Sequence, residues 1–447
     1  MATRHLQFPA ERSTPIDCIN VTKNRERALS RMLMTYIVTG LTFMLLPGTF
    51  LGVWNLISIS SKHAANSISP AWIQAHGQAQ VFGWIGTFIL GIGFYSIPKM
   101  RRAQAFAMWE AWACWTMWTV GVALRWTTTV YELQWRVLLP LSAALQLLAF
   151  VVFFKTVSSH RPEKNSKVGG KLDHWIFVVI FGTVGLLSTL AVNLYGAVDA
   201  AIHGLTPALG SALDQRLLVL MAWGFMVPFV WGFSARWLPT FLGLRAPCER
   251  GLSAIIAIDG LGLLLAVTGY VQISSLVFLA AVAVSAIALR VALPPLHPAK
   301  INGIHWSFPY FVRLAYFWLA VAASLGVWAA RATDPIGIWG ASRHALTVGF
   351  VATMVFTIGS RVLPAFSGMR LLYSPKLMGA SLLVLTIGCS IRVSCETLAY
   401  QGMSALAWHL LPISAVFELL AVTLFAVNMI ASFLSKPPSS LVRIRPA

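Results

Sequence analysis

Charge is scarce in this chain. Only 11% of its 447 residues are Asp, Glu, Lys or Arg, and only 14 of those are acidic. With 57% hydrophobic residues and a mean hydropathy of +0.74, that scarcity excludes the soluble globular class. Cysteine is scarce as well. Cys18, Cys114, Cys248, Cys389 and Cys395 are dispersed and form no CxxC pair, which excludes a disulfide framework and leaves core or bystander thiols. The first 28 residues lack the short apolar core of a cleaved signal peptide, since Arg4, Glu11, Arg12, Asp17, Lys23 and Arg25 punctuate them, so the first apolar run is expected to remain as an anchor. No loop has room for a soluble domain, the longest polar one covering residues 155–174.

Apolar runs dominate what is present. Stretches long enough for a hydrocarbon core of about 30 Å recur near residues 33–57, 77–98, 107–124, 136–154, 175–197, 214–234, 252–270, 272–290, 310–330, 344–363, 377–395 and 405–433. The expected fold is therefore an all-α polytopic membrane protein with twelve transmembrane helices, and the lipid bilayer is its first partner. With a cytoplasmic N-terminus, the tails and even-numbered loops hold 26 of the 33 Lys and Arg. Lys62, Arg125, Arg136, Arg216, Arg331, Arg343 and Arg392 remain opposite. That bias follows the positive-inside rule, places both termini in the cytoplasm, and accounts for the net charge of +19 without a nucleic-acid partner.

An internal repeat organises the spans. RWLPTFLGLR at 236–245 and RVLPAFSGMR at 361–370 share six letters in step, 125 positions apart. Each follows a Gly-aromatic pair, Gly224-Phe225 and Gly349-Phe350, and a fainter copy begins at Gly83-Trp84. The distance from that glycine to the closing proline is fifteen in all three, ending at Pro98, Pro239 and Pro364. These are spans two, six and ten, so the chain divides into three pseudo-equivalent four-helix repeats of roughly 29–155, 174–291 and 305–434 within a membrane domain of 29–434, flanked by tails 1–28 and 435–447. The motif itself, with Arg236, Arg245, Arg361 and Arg370, is expected to be a cytoplasmic corner whose arginines reach lipid phosphate or a helix C-terminus. Two-fold transporters of six plus six helices are patterned differently. The three-by-four plan resembles the large subunit of haem-copper oxidases, whose second and tenth helices carry the two histidines of a low-spin haem.

Of ten histidines, only His76 and His344 fall at the outer ends of spans two and ten. They lie seven residues before Gly83 and five before Gly349, about half a turn apart in depth, and two imidazoles at matching depth suit the two faces of one haem. Alone, either histidine is equally an interfacial polar residue. Gln80 shares a helical face with His76 and is expected to fix its tautomer, while Gln74 and Gln78 add polarity. Arg343 and Arg392 are either partners for haem propionates or snorkelling boundary residues; Arg125 stands farther off.

Spans six and seven, which carry copper histidines in the oxidases, hold Met221, Trp223, Met226 and Asp259 and no histidine, so a binuclear oxygen- or nitric-oxide-reducing centre is not expected. Copper held by methionine with His63, His203 and His409 stays open. Asp259, Glu418 and Glu110 are intramembrane acids that either carry protons or sit neutral and hydrogen-bonded, and Asn193 belongs with them. They support the alternative function, a proton-coupled small-molecule transporter.

AHGQAQVFGWIGTFILGIGFYSIPK and SRHALTVGFVATMVFTIGSRVLPAFSG resemble the second and tenth helices of the NnrS family, with the 344–349 stretch HALTVG the most specific part. The resemblance implies a bacterial cytoplasmic-membrane protein that binds b-type haem, is associated with copper, and is linked to denitrification and nitrosative stress, with nitric oxide or a redox partner interacting with it. This chain departs from the family at Gln78, where a second histidine is usual, at Ala365-Phe366-Ser367-Gly368, where a glycine-histidine-threonine-glycine turn is common, and at Arg313, where a histidine is expected. The implied cofactor ligands are His76 and His344. With both axial positions filled, electron transfer, sensing or metal-complex handling is expected in place of enzymatic turnover.

Overall fold

The computed structural model describes residues 15–100, 106–159 and 173–435, with side chains from residue 23 onward. The termini and most of the 155–174 loop lie outside these, as does the Cys18 side chain. Among the described residues there are long helices and no strand. Twelve helices are numbered in chain order: α1 (Lys23–Lys62), α2 (Pro70–Met100), α3 (Met108–Tyr131), α4 (Trp135–Ser159), α5 (His174–His203), α6 (Ser211–Leu242), α7 (Glu249–Val267), α8 (Val271–Leu289), α9 (Phe308–Ala329), α10 (Ile336–Phe366), α11 (Pro375–Tyr400) and α12 (Leu406–Leu434). Eleven are long and apolar enough to cross a membrane. The other, α3, is 24 residues long and falls short because Glu110, Arg125 and several indoles dilute its apolar character; Glu110 sits in its first turn, where the helix dipole favours an acid.

At the N-terminus the helix of α1 extends back to Pro15, through part of the polar segment 1–28. Leu29, Met32, Leu33, Tyr36 and Ile37 are all buried, a 3–4 spacing that continues the helix inward from the apolar run, and Glu26 receives an ion pair from Lys99 at 2.6 Å.

Consecutive helices pack against one another, and α12 closes on α1. Burial separates two tiers. In the most apolar windows of α2, α6 and α10, 78%, 61% and 67% of residues are buried, against 22–50% in the other spans. These three helices are the inner ones, and each carries a π-helical segment at its Gly-aromatic step: Ala79–Gly86, Leu220–Met226 and Ala345–Ala352. At Gly83 and Gly349 glycine is required because a neighbour packs directly on the backbone, whereas a Cβ at Gly224 would meet nothing nearer than 3.5 Å. A Cβ at Gly83 would meet Phe43 of α1 at 2.8 Å, and one at Gly349 would meet Trp318 of α9 at 2.5 Å. On α6 the contact is backbone to backbone, a Cβ at Gly185 of α5 falling 1.7 Å from the Gly224 carbonyl oxygen.

The wider π turn loosens the helical ladder, and other side chains take up its carbonyls. Trp118 donates to Phe82 O at 3.0 Å and Thr87 to Gly83 O at 2.6 Å. A fourth π segment, Met44–Phe50 in α1, contains Pro47, which has no N–H and clashes with the preceding turn. Trp126 donates to the Pro47 carbonyl at 3.0 Å.

The paired corner motif is a helix stop. Gly243 ends α6 at φ +66 and Gly368 follows α10 at φ +97, the left-handed conformation that glycine adopts without cost. Arg370 donates to Ser367 O at 3.0 Å, capping the carbonyl end of α10. Arg361 instead lies over the Phe241 ring, 4.5 Å from its centroid, and joins the two corners to each other.

Candidate functional site

The inner helices border a cavity of about 800 Å³, within the range of roughly 300–1,000 Å³ usual for cofactor sites. Its walls include His76, Gln80, Arg343, His344 and Arg392, so all five residues singled out from the sequence meet there. α2 and α10 touch through Trp84–Phe356 and Tyr95–Phe366, with ring centroids 6.1 and 5.0 Å apart. The cavity occupies the His76 and His344 end of the pair.

The two imidazoles are held alike. His76 Nδ1 is 2.9 Å from Gly48 O, and His344 Nδ1 is 2.9 Å from Gly340 O. A carbonyl is only an acceptor, so Nδ1 carries the proton in each ring and the Nε2 lone pair is free. Among the described residues neither Nε2 makes a hydrogen bond. Gly52 gives the His76 ring its space, since a Cβ there would lie 2.6 Å from Cε1 and 2.8 Å from Nδ1.

Gln80 does not set the His76 tautomer. Its amide donates to Thr49 Oγ1 at 3.0 Å, because Gly48 O on α1 already occupies the Nδ1 position. Gln74 clamps the loop before α6, exchanging two hydrogen bonds with the Leu209 backbone at 3.0 and 2.8 Å. Gln78 also borders the cavity and donates to Asn193 of α5 at 3.1 Å.

Glu396 went unnoticed in the sequence. Its carboxylate is 3.3 Å from His344 Nδ1 and 3.2 Å from Arg392 Nε. The signal was the i, i+4 spacing of Arg392 and Glu396, which places opposite charges on one face of α11. Arg392 is therefore neither a loop residue nor a snorkelling one: its side chain is only 11% exposed, and its Nη1 has no hydrogen-bond partner. Arg343 donates to Gln215.

Of the intramembrane acids, Glu418 lines the cavity. Asp259 is fully buried on α7 with both oxygens unpartnered, and is not among the wall residues, so this cavity does not join the two carboxylates. Met221, Trp223 and Met226 do line the wall. The outer histidines do not assemble into a copper set: His203 pairs with Asp199 at 3.1 Å, while His63 stacks on Trp408 with His409 at its edge, 6.4 Å between centroids. Among the described residues no group of three or more His, Cys, Asp or Glu is placed to hold a metal ion. Cys114, Cys389 and Cys395 are buried free thiols and Cys248 is exposed.

A family model described as a domain of unknown function (DUF8744) matches residues 308–434, the last four helices. A search of curated proteins returns no match. Among solved structures, the chain is similar to one described as a heme-copper terminal oxidase dimer, with a TM-score of 0.69 and 13% sequence identity, covering 92% of this chain and 85% of that one. The protein thus has a haem-copper-oxidase-like fold and is a multi-pass membrane protein.

Proposed function

We propose that this protein holds one b-type haem between α2 and α10, ligated by His76 and His344, as a bacterial cytoplasmic-membrane protein of the NnrS type. The observation that carries the reading is the matched pair of imidazoles: both border one cavity, and both have Nδ1 engaged by a backbone carbonyl so that Nε2 is available. That is the arrangement metal-bound histidine requires. Two further features fit an iron porphyrin: the side-chain-free surface of Gly52 beneath His76, and the unpartnered Nη1 of Arg392 on the cavity wall, which suits a propionate.

When bound, a haem with two protein ligands supplies one-electron chemistry and no vacant coordination position. The residues around it then have distinct tasks. Gly48 and Gly340 fix tautomer and ring plane; Glu396 adds negative charge behind His344; Trp84, Trp223 and the methionines of α6 exclude water. The nitrogen-oxide role rests on the resemblance of the His76–Pro98 and His344–Gly368 stretches to NnrS proteins, and the cytoplasmic placement of both termini on the positive-inside bias.

Reduced-minus-oxidised spectra of membranes containing the wild type, His76→Ala and His344→Ala test the reading. A low-spin b-type signal in the wild type, abolished or converted to high spin in both variants, is expected. A folded, colourless wild-type protein would overturn it and favour the transporter.

A further inference from the structure

Repeats one and three agree in letters that the proposed haem site does not explain. Residues 121–125 of α3 read GVALR and residues 388–392 of α11 read GCSIR; residues 139–146 of α4 read LPLSAALQ and residues 411–418 of α12 read LPISAVFE. The structure superposes their roles. A Cβ at Gly121 would meet Gln146 Cγ at 3.0 Å, and one at Gly388 would meet Glu418 Cγ at 3.0 Å. Ser142 and Ser414 each donate to the carbonyl three residues back, at 2.6 Å in both. Five residues before the π-segment glycine stand Gln78 on α2 and His344 on α10. The trio His344, Arg392 and Glu418 at the cavity therefore has a counterpart in Gln78, Arg125 and Gln146.

The counterpart keeps the cation and loses every acid. Four residues past Arg392 comes Glu396; four past Arg125 comes Thr129, whose hydroxyl is spent on Arg125 O at 2.6 Å. Gln146 replaces the second carboxylate. Arg125 is 1% exposed, forms no ion pair among the described residues, and has no hydrogen-bond partner on Nε, Nη1 or Nη2. Asp214 is the acid whose field reaches it, and Arg343 shares that field. A buried guanidinium without a contacting anion is among the costliest states a protein interior can hold.

The helices around it carry further buried polar atoms without partners, donors and acceptors both. Trp118 on Phe82 O and Trp72 on Val130 O, at 3.0 and 3.2 Å, fix α2 and α3 antiparallel, and Arg125 between them lies at the depth of the Gln78–Asn193 pair. The donors Asn193 Nδ2, Gln146 Nε2 and Thr128 Oγ1 are buried and unpartnered, as are the acceptors Gln78 Oε1 and Gln146 Oε1. We propose that the compartment enclosed by α2, α3, α4 and α5 binds a small monovalent inorganic anion, held by the Arg125 guanidinium with Asn193, Gln146 and Thr128 as further donors. Arg125 is not among the wall residues of the haem cavity, which Gln78 and Asp214 border.

The test is bromide. Full-length protein in detergent is exchanged into gluconate, too large for the site, and titrated with bromide while Tm is followed; crystals of the wild type grown in bromide are examined for anomalous scattering. A saturable rise in wild-type Tm, absent in Arg125→Met, and an anomalous peak against the guanidinium are expected. In gluconate the order reverses, Arg125→Met being the more stable because it no longer buries an uncompensated charge. Should Arg125→Met fail to fold, the wild-type titration and the anomalous map decide alone. No saturable shift and no peak would overturn the proposal, leaving Arg125 a cation compensated by water and Asp214.

Discussion

Gly52→Ala separates haem ligation from fold stability. The new methyl would start 2.6 Å from His76 Cε1 and 2.8 Å from Nδ1, whereas unstrained carbon contacts lie near 3.5–4.0 Å. The ring must retreat by about 1 Å, and its 2.9 Å bond to Gly48 O cannot survive such a shift without its angle or length failing. Overpacking of this kind costs about 1–3 kcal/mol and the lost hydrogen bond about 1 kcal/mol, while alanine in a helix interior returns about 1 kcal/mol relative to glycine. The net loss is about 1–3 kcal/mol, tolerable for a bundle this size, whereas a His76 ring moved by about 1 Å would no longer hold the proposed haem as a ligand. Purified Gly52→Ala is expected to keep a cooperative melt and to lose low-spin character in its optical and EPR spectra, with haem content reduced. An unchanged low-spin spectrum at full occupancy would show that His76 is not the ligand, whatever His76→Ala does.

Other consequences are as specific. Glu396→Leu leaves Arg392 buried beside His344 without its carboxylate, so the melt should fall by the equivalent of about 3–5 kcal/mol, and the double variant Arg392→Leu/Glu396→Leu should recover most of it; equal stability of single variant and wild type would remove the ion pair from the account. Gly243→Ala and Gly368→Ala both force an L-residue to positive φ at about 1–2 kcal/mol, but a Cβ at Gly243 also strikes His297 O at 2.1 Å while Gly368 has open space around it. Thermal melts should therefore rank Gly243→Ala well below Gly368→Ala, and a reversed order would refute the contact. Metal analysis of protein expressed with excess copper should find iron near one atom per chain and copper well below one, given the scattered His63, His203 and His409; stoichiometric copper would reopen that assignment.

What the sequence revealed and what it hid have physical causes. Apolar runs marked the twelve long helices, eleven of them long and apolar enough to cross a membrane, because the bilayer imposes a length, but not their ends: the α1 helix continues back to Pro15 through residues without apolar periodicity. The proline and glycine spacing exposed α2, α6 and α10 because the same backbone constraint recurs in each. Glu396 and Gly52 were less legible. Glu396 is marked locally only by its i, i+4 spacing to Arg392, its contact with His344 crossing to another helix, and Gly52 matters only through what α2 places against it. Asp259 stands apart: an acid in an apolar run signals function, and here both its oxygens are buried without a partner, away from the cavity that Glu418 borders.

The offset of the two histidines from their glycines, seven residues for His76 and five for His344, has a cause in this architecture. Within one register the equivalent of His344 is Gln78, and Gln78, though it borders the cavity, is held toward α5 by its bond to Asn193. An inner helix stands between two compartments and must present a different face to each. Residues two apart on an α-helix point about 200° from one another, so a side chain on α2 that serves the neighbouring compartment must sit two positions from the repeat-equivalent site. His76 does so, and it meets Gly48 and Gly52 of α1 instead of Asn193 of α5. The departure from strict repetition is thus what allows two helices of one repeated design to face a common cavity. It also yields a reciprocal expectation: moving the ligand to the equivalent position, as His76→Gln with Gln78→His, directs an imidazole toward Asn193, and the low-spin haem spectrum should be lost even though both helices retain one histidine. Retention of that spectrum would mean that the faces of α2 are not divided in this way.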